Sequence, residues 1–215
     1  MLNITKSTTP LGLAMHRRTK GARYANLPSE AQSELKSALL EEQGYLCCYC
    51  MQRVHFDDMR VEHWQCQSFF PEQELDYSNL LAACHGNEAK RKHGNAHCDV
   101  AKANKILKYN PAKPEHDVEA HIKYRSDGSI CSTDDEFNDQ LEKILNLNCP
   151  DMKLDRKKTR DGVKQSIQKW TAQKRTAGKL KRAIQDWRSP DPNDGMMRPY
   201  AGIVIYYLEK RLKQL

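Results

Sequence analysis

Cys47-Cys48-Tyr49-Cys50, Arg60-Val61-Glu62-His63, Ser78-Asn79-Leu80-Leu81-Ala82-Ala83-Cys84 and Cys98-Asp99-Val100-Ala101-Lys102 are the four strings that decide how this chain reads. Cys47 and Cys50 are spaced so that both thiolates can reach one ion from a tight turn, and a second pair completes a tetrahedral zinc site. Cys84 and Cys98 are the candidates for that pair. Thirteen residues separate them, but closure entropy grows slowly with loop length, so the spacing does not forbid the site. Cys48 has the wrong spacing to Cys50 for a zinc knuckle, while His85, His93 and His97 lie close enough to replace one cysteine. Between the halves of this staple stand the acid–histidine pair Glu62-His63 and, further on, Asn79. A neutral imidazole near pH 7 can take a proton from water. The Asn79 amide oxygen can hold the other ring N–H, and the neighbouring carboxylate can hold a hard cation on a phosphate.

Upstream of the staple, Ser29 reads as an N-cap, with Ala31, Leu35, Ala38 and Leu39 at helical spacing and Gly44 in the position of a left-handed C-cap. Residues 1–26 read as irregular. After the knuckle, 51–61 should form two short strands around Asp57-Asp58, 68–76 a loop, 85–97 an insertion loop and 98–105 a short helix. From Asn110 the character changes. Residues 122–124 and 129–131 read as a hairpin across Ser126-Asp127-Gly128, 137–145 as a short helix, 152–187 as one long basic helix, 189–195 as a break, and 200–212 as a terminal helix. The pattern is α+β, divided into a metal-bearing segment, 1–109, and a hairpin-and-helix segment, 110–215, which either stands apart or packs with the first.

The chain has 215 residues and a formal net charge of +7. The excess is local: 153–188 holds thirteen Lys/Arg against three Asp, which leaves the remainder slightly acidic. Such density suits phosphate contact better than an ordinary solvated face. The apolar runs are too short to span a bilayer, and Met1-Leu2-Asn3-Ile4-Thr5-Lys6 lacks the apolar run of a secretory signal. A cytoplasmic protein is expected, and in that reducing compartment eight cysteines argue for metal before disulfides.

Taken in order, Cys47-x-x-Cys50, Arg60-Val61-Glu62-His63, Asn79-Leu80, Cys84 and Cys98-Asp99-x-x-Lys102 resemble an HNH endonuclease with its ββα-metal motif, over about residues 40–105. A more diffuse similarity across most of the chain resembles the PtuB-like HNH subunit of Septu-type and retron-associated antiphage systems. It rests on the run from Leu40 to Cys50, on His121-Ile122-Lys123-Tyr124, and on Leu145-Asn146-Leu147-Asn148. The resemblance implies a four-cysteine structural Zn²⁺, His63 as general base and Asn79 as the residue that orients it. It implies Glu62 and Asp99 as ligands of a catalytic Mg²⁺ or Mn²⁺, and Lys102 as a basic residue near the site. Products would carry 5′-phosphate and 3′-hydroxyl ends. A PtuA-like ATPase would be the partner and, in retron versions, a reverse transcriptase with its multicopy single-stranded DNA. Departures are Glu62 where Asp is commoner, Cys66 where proline is common, and the long stretch between Cys84 and Cys98.

Three functions follow. In the first, the protein hydrolyses nucleic acid, gripping phosphates with Lys102, Lys157, Lys158 and Arg160. In the second, it is a non-catalytic zinc-binding module that docks nucleic acid or a partner; that reading gives Glu62, His63, Asn79 and Asp99 no reason for their order. A redox role for Cys47 and Cys50 fits poorly, because these cysteines follow a helix and lead into strands. The terminal helix, with Ile203, Tyr207, Leu208 and Leu212 on one stripe, is either a core helix or a docking face for an ATPase.

Overall fold

The computed structural model describes residues 1–88, 95–170 and 176–215. Its architecture is α+β: two small antiparallel hairpins, a buried cluster of four cysteines, and a helical C-terminal region.

Helix α1 (Leu11–His16) occupies part of the stretch expected to be irregular; Pro10 precedes it, and Glu34 accepts the otherwise unpaired N–H groups of Leu11 and Gly12. Helix α2 (Ser29–Glu42) buries Ala31, Leu35, Leu39 and Leu40. Pro28, not Ser29, stands at its N-cap, where the fixed ring torsion suits a helix entry. At the other end, Tyr45 N–H bonds to Leu40 O at 2.8 Å and Gly44 N–H to Glu41 O at 3.1 Å, the paired bonds that a left-handed C′ residue permits. Gly44 sits at φ +58°, and a Cβ there would lie 2.2 Å from Met197 Cγ.

That turn throws the chain into the cysteine knuckle, closed by Cys47 N–H to Gln52 O and Met51 N–H to Cys47 O. Only one strand follows where two were expected: β1 (Arg60–His63), preceded by a 3₁₀ turn at Phe56–Asp58. It pairs antiparallel with β2 (Leu80–Ala83), Glu62 opposite Leu81 and His63 opposite Leu80. The outer edge of β2 is closed by Gln43, whose amide donates to Ala82 O at 2.9 Å and accepts from Ala82 N–H at 2.8 Å. An edge strand so covered offers no free ladder to another chain.

Helix α3 (Cys98–Lys102) completes the ββα core. Its start is bolted to the C-terminal segment: Cys98 N–H bonds to Leu145 O, and Asn146 Nδ2 to Ala96 O. Beyond it come α4 (Val118–His121), the hairpin β3 (Ile122–Tyr124) and β4 (Ile130–Ser132), and α5 (Asp135–Asp139) with a π-helical turn, Gln140–Ile144. The long basic helix is in fact two, α6 (Pro150–Gln168) and α7 (Ala177–Arg188), the second capped by Thr176 accepting from Lys179 N–H. Helix α8 (Ala201–Leu212) packs against α7 and α6. Its apolar stripe is therefore turned inward: Ile203 and Leu208 are buried against Ile167 and Leu180 in the chain's own second core. The docking-face reading of that stripe is overturned for these two residues. Among the described residues no helix is long and apolar enough to cross a membrane.

Candidate metal centre and active site

Cys47 and Cys50 come from the knuckle, Cys84 from the residue after β2, and Cys98 from the first turn of α3. Their four sulfur atoms lie within 4.8 Å of one another, and all four residues are buried. Sulfurs held at about 2.3 Å from a tetrahedral Zn²⁺ are separated by about 3.8 Å; Cys50 Sγ and Cys84 Sγ are 3.8 Å apart. Burial favours neutral thiols here, yet hydrogen bonds from Cys48, Cys50, Cys84 and Cys98 hold Cys47 well below the ordinary thiol value. The donor set, its spacing and its burial fit a closed structural zinc. Gln52 N–H lies 3.5 Å from Cys50 Sγ, where it can spread thiolate charge, and His97 Nδ1 lies 3.1 Å from Cys98 Sγ. His97 is thus beside the sulfurs rather than in place of one. His85 is half-exposed near Asp58, and His93 lies outside the described residues.

Glu62 and His63 close β1. Glu62 is 2 % exposed. Tyr49, the residue between Cys48 and Cys50, donates its hydroxyl to Glu62 Oε1 at 2.8 Å. Lys102 Nζ lies 2.7 Å from the same oxygen and 3.1 Å from His63 O. Asp99, within hydrogen-bonding reach of Glu62, also receives Arg60 Nη1 at 3.2 Å. Burial is the main force that pushes the Glu62 carboxyl up to about 8, with Asp99 adding to it and Lys102 opposing it. That direction conflicts with a simple ion pair. Lys102 and Tyr49 both meet this carboxyl, and its burial is only partly compensated.

This overturns one assignment. Lys102 is 0 % exposed, so it pairs with Glu62 instead of reaching a phosphate. Its stem lies along the core and its ammonium closes the gap between β1 and α3.

His63 is 9 % exposed, with Nε2 at 3.0 Å from Glu74 O and the ring edge-on to Tyr24 at 4.6 Å between centroids. The Glu74 carbonyl only accepts, so in that bond Nε2 carries the proton and Nδ1 keeps its lone pair, and the Gln67 amide nitrogen, 3.3 Å from the same Nε2, does not then donate to it. Burial, opposed by Glu74, holds the imidazole below its ordinary value, in the neutral form. The Asn79 side chain does not take the imidazole N–H. It accepts from Gln65 N–H at 2.7 Å and donates to Gln65 O and Gln73 O, which pins the loop that presents Glu74 O. The Asn79 side chain is thus linked to Glu74, and so to His63, only through that loop.

Of the expected phosphate contacts, Lys157 pairs with Asp161 at 3.1 Å, and Arg160 is bound to Asp161 and to Ser126 O. Lys158 is exposed. Tyr49, Arg60 and the Glu74 carbonyl were not singled out from the sequence. Tyr49 alone carried a signal, its place inside the knuckle. The other two become visible only when α3 and the 65–74 loop are folded over β1.

An antiparallel hairpin carrying Glu62-His63, a short helix carrying Asp99, and four cysteines clamping them together define a ββα-metal core. The chain is similar to a protein of Vibrio cholerae serotype O1 biovar El Tor named "Retron Vc95 putative HNH endonuclease", at 31% identity over 127 residues, which are 54% of this chain and 58% of that protein. The match thus spans little more than half the length of the relative. No family model matches the chain.

Proposed function

We propose that the protein is a metal-dependent HNH endonuclease of a retron-type antiphage system, hydrolysing phosphodiester bonds of nucleic acid. The observation that carries this reading is His63: a buried imidazole held neutral at the end of β1, with one nitrogen tied to the Glu74 carbonyl and Glu62 preceding it in the same strand. The similarity to the Vibrio cholerae protein supports it.

In this reading His63 Nδ1 takes the proton of a water that attacks phosphorus in line, and Glu74 O steadies the charge that forms on the ring. Asn79 fixes the loop from which Glu74 acts. A hard divalent ion such as Mg²⁺ or Mn²⁺ is commonly held by one or two carboxylates with water and substrate phosphate completing its shell; here Asp99 and Glu62 would hold it, and Glu62 would exchange its contact with the Lys102 ammonium for the ion. Such an ion, when bound, neutralises charge building on the scissile phosphate. Among the described residues, only the four cysteines form a group of three or more candidate ligands, so these two carboxyls would be its protein donors. Breaking the bond to the 3′ oxygen leaves 5′-phosphate and 3′-hydroxyl ends. A PtuA-like ATPase, and a reverse transcriptase with its multicopy DNA, are the assembly partners this reading expects.

The low exposure of Glu62 and His63 favours one other reading, a zinc-stapled docking module without catalysis. Plasmid DNA and transfer RNA incubated with wild type or His63→Ala, in Mg²⁺ or Mn²⁺ and with the co-expressed ATPase, separate the two. A positioned base contributes roughly 10²–10⁴-fold, so the variant should lose at least that much cleavage while keeping its zinc. Cleavage by the variant above about a tenth of the wild-type rate would rule out His63 as the base.

A further inference from the structure

The basic residues of the C-terminal region do not gather where the sequence placed them. A groove of about 260 Å³ opens between the β3–β4 turn, α6 and the end of α8. Five cations line it, Arg125, Arg160, Lys164, Lys210 and Arg211, and no carboxylate does. Arg160 forms part of the wall, held by Ser126 O and Asp161. The other four have no ion-pair partner among the described residues, and Arg125, Lys210 and Arg211 are exposed. Four unpaired cations around one concavity repel one another. The last turn of α8 offsets part of that through its carbonyl dipoles, but Arg125 and Lys164 lie on other elements and gain nothing from it.

The same walls carry tyrosines. Tyr206 and Tyr207 line the groove, and Tyr206 is braced edge-on by Tyr124 at 5.8 Å. The Arg211 guanidinium lies over the Tyr207 ring, 5.7 Å from its centroid. Cations spaced along a groove with aromatic faces between them are the chemistry that holds single-stranded nucleic acid, phosphates on the cations and bases on the rings. An acidic peptide would use the charges and leave the rings idle.

We propose that this groove is a binding site for single-stranded nucleic acid, with Arg125, Lys164, Lys210 and Arg211 meeting phosphates and Tyr206 or Tyr207 supporting a base. It rests on the nucleic-acid side of the proposed function and not on hydrolysis, and it replaces Lys157 and Lys158 as the main phosphate grip. DNA and RNA strands share this chemistry.

The test uses full-length, zinc-loaded His63→Ala protein, so that binding is read apart from cleavage. Fluorescence anisotropy with a labelled oligo-dT and a labelled oligo-U is measured across a salt series for this protein, for a Lys164→Glu/Lys210→Glu version, and for a Lys20→Glu/Lys143→Glu version of equal net charge. The groove pair should weaken binding at least tenfold. It should also lower the slope of log affinity against log salt by about 1.4, from about 0.7 for each of two lost single-strand phosphate contacts. The control pair should leave the slope unchanged, and the tighter of the two oligonucleotides identifies the sugar. Tyr206→Ala should weaken binding and Tyr206→Phe restore it. An unchanged slope in the groove pair, an equal fall in the control pair, or unaltered binding by Tyr206→Ala together with full competition by polyglutamate would each overturn the proposal. So would the failure of the unaltered groove to bind either strand, whatever the outcome for cleavage.

Discussion

Replacing Lys102 by Met tests whether this lysine is part of the fold or of the substrate grip. The substitution keeps an unbranched apolar stem of similar reach and removes the ammonium. In the folded protein that ammonium serves Glu62 at 2.7 Å and the His63 carbonyl at 3.1 Å, and it is shielded from water completely. Removing one partner of a buried pair typically costs about 3–5 kcal/mol, because the other is left uncompensated. For a chain of this size, each kcal/mol moves Tm by about 2–4 °C, so a fall of about 6–20 °C is expected. Glu62, already pushed up to about 8, can take a proton, which places the loss toward the lower end. Lys102→Met/Glu62→Gln should recover part of it, since both charges are then gone. Calorimetric scans of the zinc-loaded proteins give Tm, and salt series with a labelled oligonucleotide give the phosphate contribution. The reasoning fails if Lys102→Met keeps the wild-type Tm while its salt slope drops by about 0.7–0.9, the signature of a lost phosphate contact.

Cys50→Ser should lose its metal and its cooperative unfolding together, because structural zinc supplies folding free energy directly; stoichiometric zinc in a well-folded variant, by elemental analysis, would contradict the four-sulfur site. Gly44→Ala should lower Tm by several degrees, since a Cβ at φ +58° would meet Met197 Cγ at 2.2 Å and force the turn that delivers Cys47; an unchanged Tm would show that the turn relaxes freely. Asn79→Ala removes three bonds to the 65–73 loop, so cleavage should fall by at least tenfold with zinc content intact. Loss of zinc in that variant would instead make Asn79 a residue of the staple.

The metal core was legible in the sequence because ligand chemistry is local: few residue types hold zinc, and Cys47 and Cys50 announce their turn by spacing alone. Gly44 was equally plain, since a left-handed position after an apolar helix asks for glycine. Lys102 misled because a lysine at the end of a short helix, directly after Ala101, looks solvent-facing. Its burial is dictated by Glu62, forty residues earlier, a partner no local pattern reveals. Asn79 was read as holding the imidazole N–H, but its side chain is committed to the backbone of Gln65 and Gln73 in the loop between them. The long basic segment reads as one helix because it holds no proline; Thr176, which caps the second helix, gives only a weak signal in the sequence. The groove of cations and tyrosines draws on β3, α6 and α8 at once, so only the folded chain shows it.

In the proposed function this site hydrolyses phosphodiester bonds with water activated at His63. Cleavage carried out in H₂¹⁸O with Mg²⁺ or Mn²⁺, followed by mass spectrometry of the product ends, tests it most directly. Hydrolysis by this route puts ¹⁸O in the 5′-phosphate, leaves an unmodified 3′-hydroxyl, and gives no labelled ends from His63→Ala. Unlabelled or cyclic phosphate ends, or equal labelling by the His63→Ala protein, would contradict it.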